Sequence, residues 1–414
     1  MSYSADSGFQ TIRHPGLQRI RLLLEALGNP QNGLAVVHVA GTNGKGSVCA
    51  FLQSILTRAG YRTGVFSSPH LVYETERIAV DGIPVDSAKL ESLLDEVAQT
   101  ADQTAQKLGE RCTLFERYTA AALLHFSRVG TDVAVLETGL GGRLDTTNVI
   151  ETPVLSVITR IAMDHQTYLG NTLPEIAEEK AGIIKPGGQT VCLTQREDVN
   201  AVFRARCHAA GNTAHFTGQL VLKGWHNCRE VFDYGEEKDL VCGLCGKHQI
   251  ENACVALEAV NVLRHIGYTI PDAAMRAGLA GAVHHARFEF LREQPPFLFD
   301  GAHNPNGVAA LKESFMRYFP DSRYGVVLGV MRDKPVDEML RILGDDKAVF
   351  YPVEIPNETR SLPADALAER IAAMGLACRR TGSVQEAVRA AQTEMPLAVA
   401  CGSLYLYEYV LYSL

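Results

Sequence analysis

The 414-residue chain has no apolar run that approaches a membrane span, which takes about 20 residues. Its opening, "MSYSADSGFQ", has neither the basic start nor the apolar stretch of a secretory signal. Basic residues are not in excess. Lys and Arg number 39 against 47 Asp and Glu, and the net charge of -8 gives a nucleic-acid partner no electrostatic support. Anionic small molecules are not excluded, since they need only a local positive site. There is no internal repeat and no low-complexity tract. The ten cysteines lack a paired framework, as expected for reduced thiols in an intracellular chain. Only "CGLC", Cys242 to Cys245, has metal-like spacing. His248 is near it but a fourth ligand is missing, so a strand and turn without metal is expected there. These absences leave a cytoplasmic globular protein that neither spans a membrane nor binds nucleic acid.

What is present is an alternation of buried-strand and helical patterns, which predicts α/β architecture with a mostly parallel sheet. "LAVVHVA" (Leu34–Ala40), "DVAVLE" (Asp132–Glu137), "PVLSVIT" (Pro153–Thr159) and "TVCLT" (Thr190–Thr194) read as strands. Helical spacing is expected from Ser47, with Gly60 as its stop, and between Glu116 and Phe126. "QPP", Gln294 to Pro296, interrupts the order, and the alternation then restarts with "FLFD". So long a chain calls for two domains. The expected division is 1–293 and 297–414, the second a smaller open α/β sheet.

The chemistry-bearing residues fall at strand ends. "HVAGTNGKGS", His38 to Ser47, resembles a phosphate loop, but its hydroxyl comes one place late at Ser47 and Val39 stands where the first glycine belongs. Glycines let backbone N–H groups approach phosphate oxygens, Lys45 reaches the terminal phosphates, and the helix start adds a positive end. Glu137 closes a buried strand, where a divalent metal would remove the cost of an unpaired carboxylate. A cap or salt bridge would do the same. Asp164 and His165 follow the next strand and read equally as a hydrogen-bonded turn. Lys180, beside Glu178 and Glu179, reads as part of a solvated helical face. "FDGAHNPNG" places Asp300, His303 and Asn304 at another strand end, which suggests a ligand between domains or only a turn.

Together with "SSPHLVYETERI", "LETGLGGRLDTTN", "DHQTYLG", "EEKAGIIKPG", "HQIENA", "DGAHNP", "GVMRDK" and "GSLY", the opening motif stands in the order found in the folylpolyglutamate synthase and dihydrofolate synthase family of the Mur ligase superfamily. The chain resembles that family from about Gly16 to its end, and the superfamily uses the shifted loop GTNGKGS. The resemblance implies an N-terminal P-loop-type ATPase domain and a smaller C-terminal Rossmann-like domain. It implies an ATP-dependent amide ligase that adds L-glutamate to a folate, to dihydropteroate, or to both, through an acyl phosphate. Thr42, Asn43, Gly44, Lys45, Gly46, Ser47, Asn252, Arg287 and Asp300 match ATP-side positions. Ser68, Glu137, His165 and Lys180 match magnesium positions, with Lys180 carbamylated and two Mg²⁺ expected. Arg77, His303 and Ser403 match glutamate-side positions, and Phe115, Glu116, Asp145 and Thr146 a pterin-side segment. Lys45, Lys180, His303 and Arg77 are the implied catalytic set. A monomer is expected.

Two departures stand out. The family's common Pro-Gly-Arg is "HHAR" here, His284-His285-Ala286-Arg287, and its "LDATN" is "LDTTN", with Thr146 in place of alanine. They bear on Arg287 and on the choice of acceptor. A different Mur-type amino-acid ligase is the rival within the class. An ATPase that moves a partner is the rival outside it, and would release phosphate without glutamate or a pteroate.

Overall fold

The computed structural model describes residues 16–108 and 110–414, so the opening decapeptide lies outside the described residues. The first sheet has eight strands: β1 (Val36–Ala40), β2 (Thr63–Phe66), β3 (Ile78–Val80), β4 (Ile83–Pro84), β5 (Val133–Glu137), β6 (Leu155–Ile158), β7 (Gln189–Cys192) and β8 (Thr213–Phe216). Their order is β4-β3-β2-β5-β1-β6-β7-β8. The run from β2 to β8 is parallel. The β3–β4 hairpin at one edge is antiparallel and was not foreseen. β1 and β5 are buried at every position, which is why they read as continuous apolar runs.

A three-stranded sheet follows, ordered β11-β10-β9, from β9 (Leu220–His226), β10 (Arg229–Tyr234) and β11 (Glu237–Val241). The last sheet contains β12 (Glu289–Glu293), β13 (Pro296–Phe299), β14 (Tyr324–Leu328), β15 (Ala348–Pro352), β16 (Ala377–Cys378) and β17 (Ala398–Cys401). Its order is β12-β13-β17-β14-β15-β16, parallel except for β12.

The chain forms two compact units, one running to Leu220 and resuming over Glu251–Ala282, the other made of Val221–Ile250 and Val283–Leu414. This grouping differs from a single cut near Gln294, and pairing explains why. β12 hydrogen-bonds to β13, so residues before the cut belong to the C-terminal sheet, and Gln294–Pro295 is the hairpin turn. The β9–β11 sheet is tied to the same unit by Glu230. That carboxylate is fully buried and accepts hydrogen bonds from Arg317 Nε (2.5 Å) and Nη2 (2.8 Å) and from Tyr318 Oη (2.7 Å). Cys242 directly follows β11 and is buried. No helix among the described residues is long and apolar enough to cross a membrane.

Candidate active site

Parallel strands in register bring their carboxyl ends to one edge of the first sheet, where open α/β sheets bind ligands. Val39 pairs with Glu137, Phe66 with Leu136, and Ala40 with Ile158. Gly41, Ser68, Glu137 and Arg160 therefore lie at neighbouring strand ends. The Ser68 N–H donates to Glu137 Oε2 at 3.3 Å. Glu137 is 6 % exposed.

The glycine turn is braced from β6. Thr42 N and Asn43 N both donate to the Arg160 carbonyl (2.8 and 3.2 Å), and Thr159 Oγ1 donates to the Asn43 carbonyl (2.7 Å). Gln195 holds that strand end in turn, accepting from Ile161 N (2.9 Å) and donating to the Thr159 carbonyl (3.3 Å). Gly44 has φ +90°, and a Cβ there would stand 2.1 Å from Asn252 Oδ1. The turn thus requires glycine, and Asn252 is placed against it. The helix Lys45–Arg58 starts at Lys45, two residues earlier than expected, because Gly44 is its left-handed N-cap. No side chain caps it, so its first N–H groups suit an anion. Gly46 and the buried Ser47 lie in that first turn.

Lys180 overturns the solvated-face expectation: it is 3 % exposed. It ends the helix Leu173–Lys180, whose neighbouring carboxylates turn outward, Glu178 to Arg206 and Glu179 to Arg143. Lys180 Nζ donates to the Gly41 carbonyl at 2.9 Å, and Lys45 Nζ donates to the same oxygen at 3.2 Å. Burial, assisted by the Lys45 charge and opposed by Asp164 and Asp145, lowers the Lys180 amine to about 7. His165, at φ +48°, is exposed at the start of a short helix, with its Nε2 4.0 Å from Asp164 Oδ1.

Several expected substrate residues are engaged internally. Asp145 accepts from Gly139 N and Leu140 N (both 2.9 Å) and from Thr147 N (3.0 Å), so it shapes the loop after β5. Burial pushes its carboxyl up against these donors. His38 Nε2 lies 2.7 Å from Thr147 Oγ1 and backs that loop. Glu116 is the N3 residue of a capping box with Thr113 and pairs with Arg19 Nε at 3.2 Å. Thr146 Oγ1 lies 2.9 Å from Thr119 Oγ1, tying the substituted position to the helix Leu114–Val129. Phe115, half-buried on that helix, packs against Phe66 with ring centroids 5.7 Å apart. Arg77 Nε donates to His70 Nδ1 (2.9 Å), and its guanidinium lies over the Tyr118 ring at 5.0 Å. His70, Tyr118 and Gln195 were not singled out from sequence.

The C-terminal unit has its own cluster at the ends of β13 and β17. Asp300 accepts from Phe288 N and Ala302 N, both at 2.8 Å. His303 Nδ1 lies 2.8 Å from the Gly301 carbonyl, which only accepts, so that nitrogen carries the proton. Asn304 caps the helix Pro305–Tyr318 through Gly307 N. Ser403 Oγ accepts from Tyr405 N at 3.2 Å, and Gly402 N donates to the Ala302 carbonyl. Arg287 Nη1 folds back to the Ala286 carbonyl at 3.0 Å.

Residues 39–260 match the Mur ligase middle domain, and residues 286–399 the Mur ligase glutamate ligase domain. A Bacillus subtilis dihydrofolate synthase/folylpolyglutamate synthase is 39% identical over 338 residues, covering 80% of this chain and 78% of that protein. The chain belongs to the folylpolyglutamate synthase and dihydrofolate synthase family of Mur ligases. It is an ATP-dependent ligase. A Mycobacterium tuberculosis folylpolyglutamate synthase complexed with ADP and AMPPCP superimposes with a TM-score of 0.86 at 32% identity, over 94% of this chain and 93% of that one. An Escherichia coli protein in complex with DHPP and ADP superimposes with a TM-score of 0.84 at 30% identity, over 96% and 92%. In this ligase the chain around the loop after β1 has the strand, glycine turn and uncapped helix start that the shifted glycine spacing led one to expect.

Proposed function

We propose that the enzyme joins L-glutamate to dihydropteroate or a reduced folate at the expense of ATP. One observation carries this reading: two amines, Lys45 and Lys180, converge on the Gly41 carbonyl at the end of β1, beside the Glu137 carboxylate at the end of β5. A carboxylate does not acylate an amine while its leaving group is oxide. The acceptor carboxylate oxygen attacks the γ-phosphorus, ADP departs, and an acyl phosphate forms. The glutamate nitrogen then attacks the acyl carbon, inorganic phosphate leaves, and the nitrogen loses its proton to give the amide. Lys45 and the uncapped helix start stabilise charge on the transferred phosphoryl group. In the C-terminal unit, Arg287 and Asp300 serve the nucleotide side. Arg77, His303 and Ser403 serve the glutamate, while Phe115 and Thr146 line the acceptor side, with Glu116 and Asp145 holding the elements that carry them.

The residues present fit magnesium. Among the described residues no cluster of three or more His, Cys, Asp or Glu could hold a metal. Mg²⁺ needs less, one or two carboxylates with phosphates and waters. Glu137 is such a carboxylate, and the buried Thr138 Oγ1 beside it has no hydrogen-bond partner. Glu137, Ser68, His165 and a carbamate on Lys180 would hold the ions, which offset phosphate charge when bound. Carbamylation needs a neutral amine: nitrogen attacks CO₂ and releases a proton. A lysine lowered to about 7 supplies that amine near neutral pH.

The test uses purified protein with ATP, Mg²⁺, L-glutamate and each acceptor in turn. Expected is ADP release that requires both glutamate and an acceptor, with the amide product seen by mass spectrometry. ADP release indifferent to both would overturn the ligase reading in favour of an ATPase switch, and the acceptor that turns over names the specificity.

A further inference from the structure

Arg287 stands between two residues in the left-handed region, Ala286 at φ +58° and Phe288 at φ +46°. Neither side chain favours that region, because Cβ crowds the following carbonyl oxygen. Two such residues flanking one arginine persist only if their surroundings over-determine them, and such strain gathers at functional positions. The surroundings here are specific. Ala286 N donates to Glu289 Oε2 at 2.7 Å, and the Ala286 carbonyl accepts from Gly301 N at 2.8 Å. Phe288 N donates to Asp300 Oδ2 at 2.8 Å. One carboxylate therefore pins each side of the arginine.

Asp300 is already accounted for by the site, but Glu289 is not. Its oxygens are themselves held, Oε1 by His285 Nδ1 at 2.7 Å and Oε2 by Tyr407 Oη at 3.0 Å. Tyr407 is fixed by an edge-on contact with Phe299 of β13, ring centroids 4.9 Å apart. The turn so held seats the guanidinium over Gly301. A Cβ at Gly301 would lie 2.2 Å from Arg287 Nη1. The Glu289 carboxylate has its hydrogen bonds with His285, Ala286 N and Tyr407, and none of these partners is the guanidinium itself.

We propose that Glu289 is a positioning residue for Arg287: its carboxylate, steadied by His285 and Tyr407, holds the strained turn that aims the guanidinium. This rests on the reading of Arg287 as a nucleotide-side residue.

The experiment is a double-mutant cycle in the full chain, with ATP varied at saturating glutamate and acceptor. Arg287→Ala and Glu289→Ala should each lower kcat/KM for ATP about tenfold, and together they should lose little more than Arg287→Ala alone, about twofold at most, because Glu289 acts through that arginine. In the Glu289→Ala background, Ala286→Gly should recover about threefold by making the left-handed turn accessible without the carboxylate. Should Glu289→Ala fail to fold, Glu289→Gln replaces it, with a rise of about threefold in KM for ATP expected. Multiplicative losses in the double variant, no recovery with Ala286→Gly, or wild-type KM in folded Glu289→Gln would each overturn the positioning role. Wild-type kinetics in Arg287→Ala would instead overturn the nucleotide-side reading of the arginine, so the two failures are told apart.

Discussion

Of the turns in this ligase that adopt left-handed backbone, those at Gly44 and at residues 286–288 meet its cost differently. At Gly44 the limit is space: φ is +90° and Asn252 Oδ1 occupies the room a Cβ would take. At Ala286 and Phe288 there is room for side chains, and the limit is conformational energy, roughly 1–2 kcal/mol for each residue. Glycine removes the problem in the first turn. Hydrogen bonds to Glu289 and Asp300 offset it in the second. On the proposed reading, a turn that lets phosphate approach its backbone leaves no room for side chains, whereas one that aims a side chain can be strained and pinned from behind.

The comparison can be broken most severely at the glycine turn. Replacing Lys45 by alanine removes its charge without opening a core, and glutamate-dependent turnover should fall about a thousandfold, as when a main electrostatic stabiliser is lost. Near-normal turnover by a folded Lys45→Ala protein would detach the turn from the chemistry.

Lys180→Ala follows, with an expected loss of about a hundredfold. Acetate or formate should restore part of it by supplying the missing oxygens, and should do nothing for Lys45→Ala. Wild-type turnover in the absence of added acid would return Lys180 to a structural role. Its titration gives a second measurement. With the folded amine at about 7 and the ordinary value at 10.5, the folded chain lacks a proton that the unfolded chain holds between those pH values. This group therefore makes stability rise with pH across that window and contributes its full cost of buried charge below it. The carbamate signal from ¹³C-labelled CO₂ should fade as pH drops through about 7; a signal that is flat from pH 6 to 9 would contradict the neutral amine.

Gly44→Ala should cost about 10- to 100-fold in kcat/KM for ATP, the equivalent of a few kcal/mol of backbone strain plus displacement of Asn252. A loss below threefold would show that the turn has slack the distances deny. The smallest effect is at the other turn. Ala286→Gly in the otherwise wild-type protein relieves strain but frees the unfolded chain, so the melting temperature should rise by about 1–3 °C or stay level. A fall of several degrees would mean that the alanine methyl is needed for packing and that the two turns do not differ in kind.

Much of the proposed site's local framework was legible in the sequence because it is contiguous. A buried apolar run, a glycine turn and a helix in succession matched the strand, turn and helix that the structure has there, and Glu137, His165 and Asp300 were expected at or after strand ends, where they lie. Glu116 shows a readable signal that went unread: Thr113-Leu114-Phe115-Glu116 has the capping-box spacing, and capping is what its carboxylate does. The antiparallel β3–β4 edge was missed because a three-residue and a two-residue strand carry too little periodicity.

By itself the sequence determined the alternating α/β order, the glycine turn and the family, since each is written in contiguous residues. Only the tertiary structure decided that Lys180 is buried. Three residues of "EEK" on a helix look alike to a reader of periodicity. Burial against the Gly41 carbonyl, 139 positions away, is what lowers that amine, while its two glutamate neighbours turn to surface arginines. Desolvation and Coulomb interaction depend on distance through space, and a linear chain does not contain those distances.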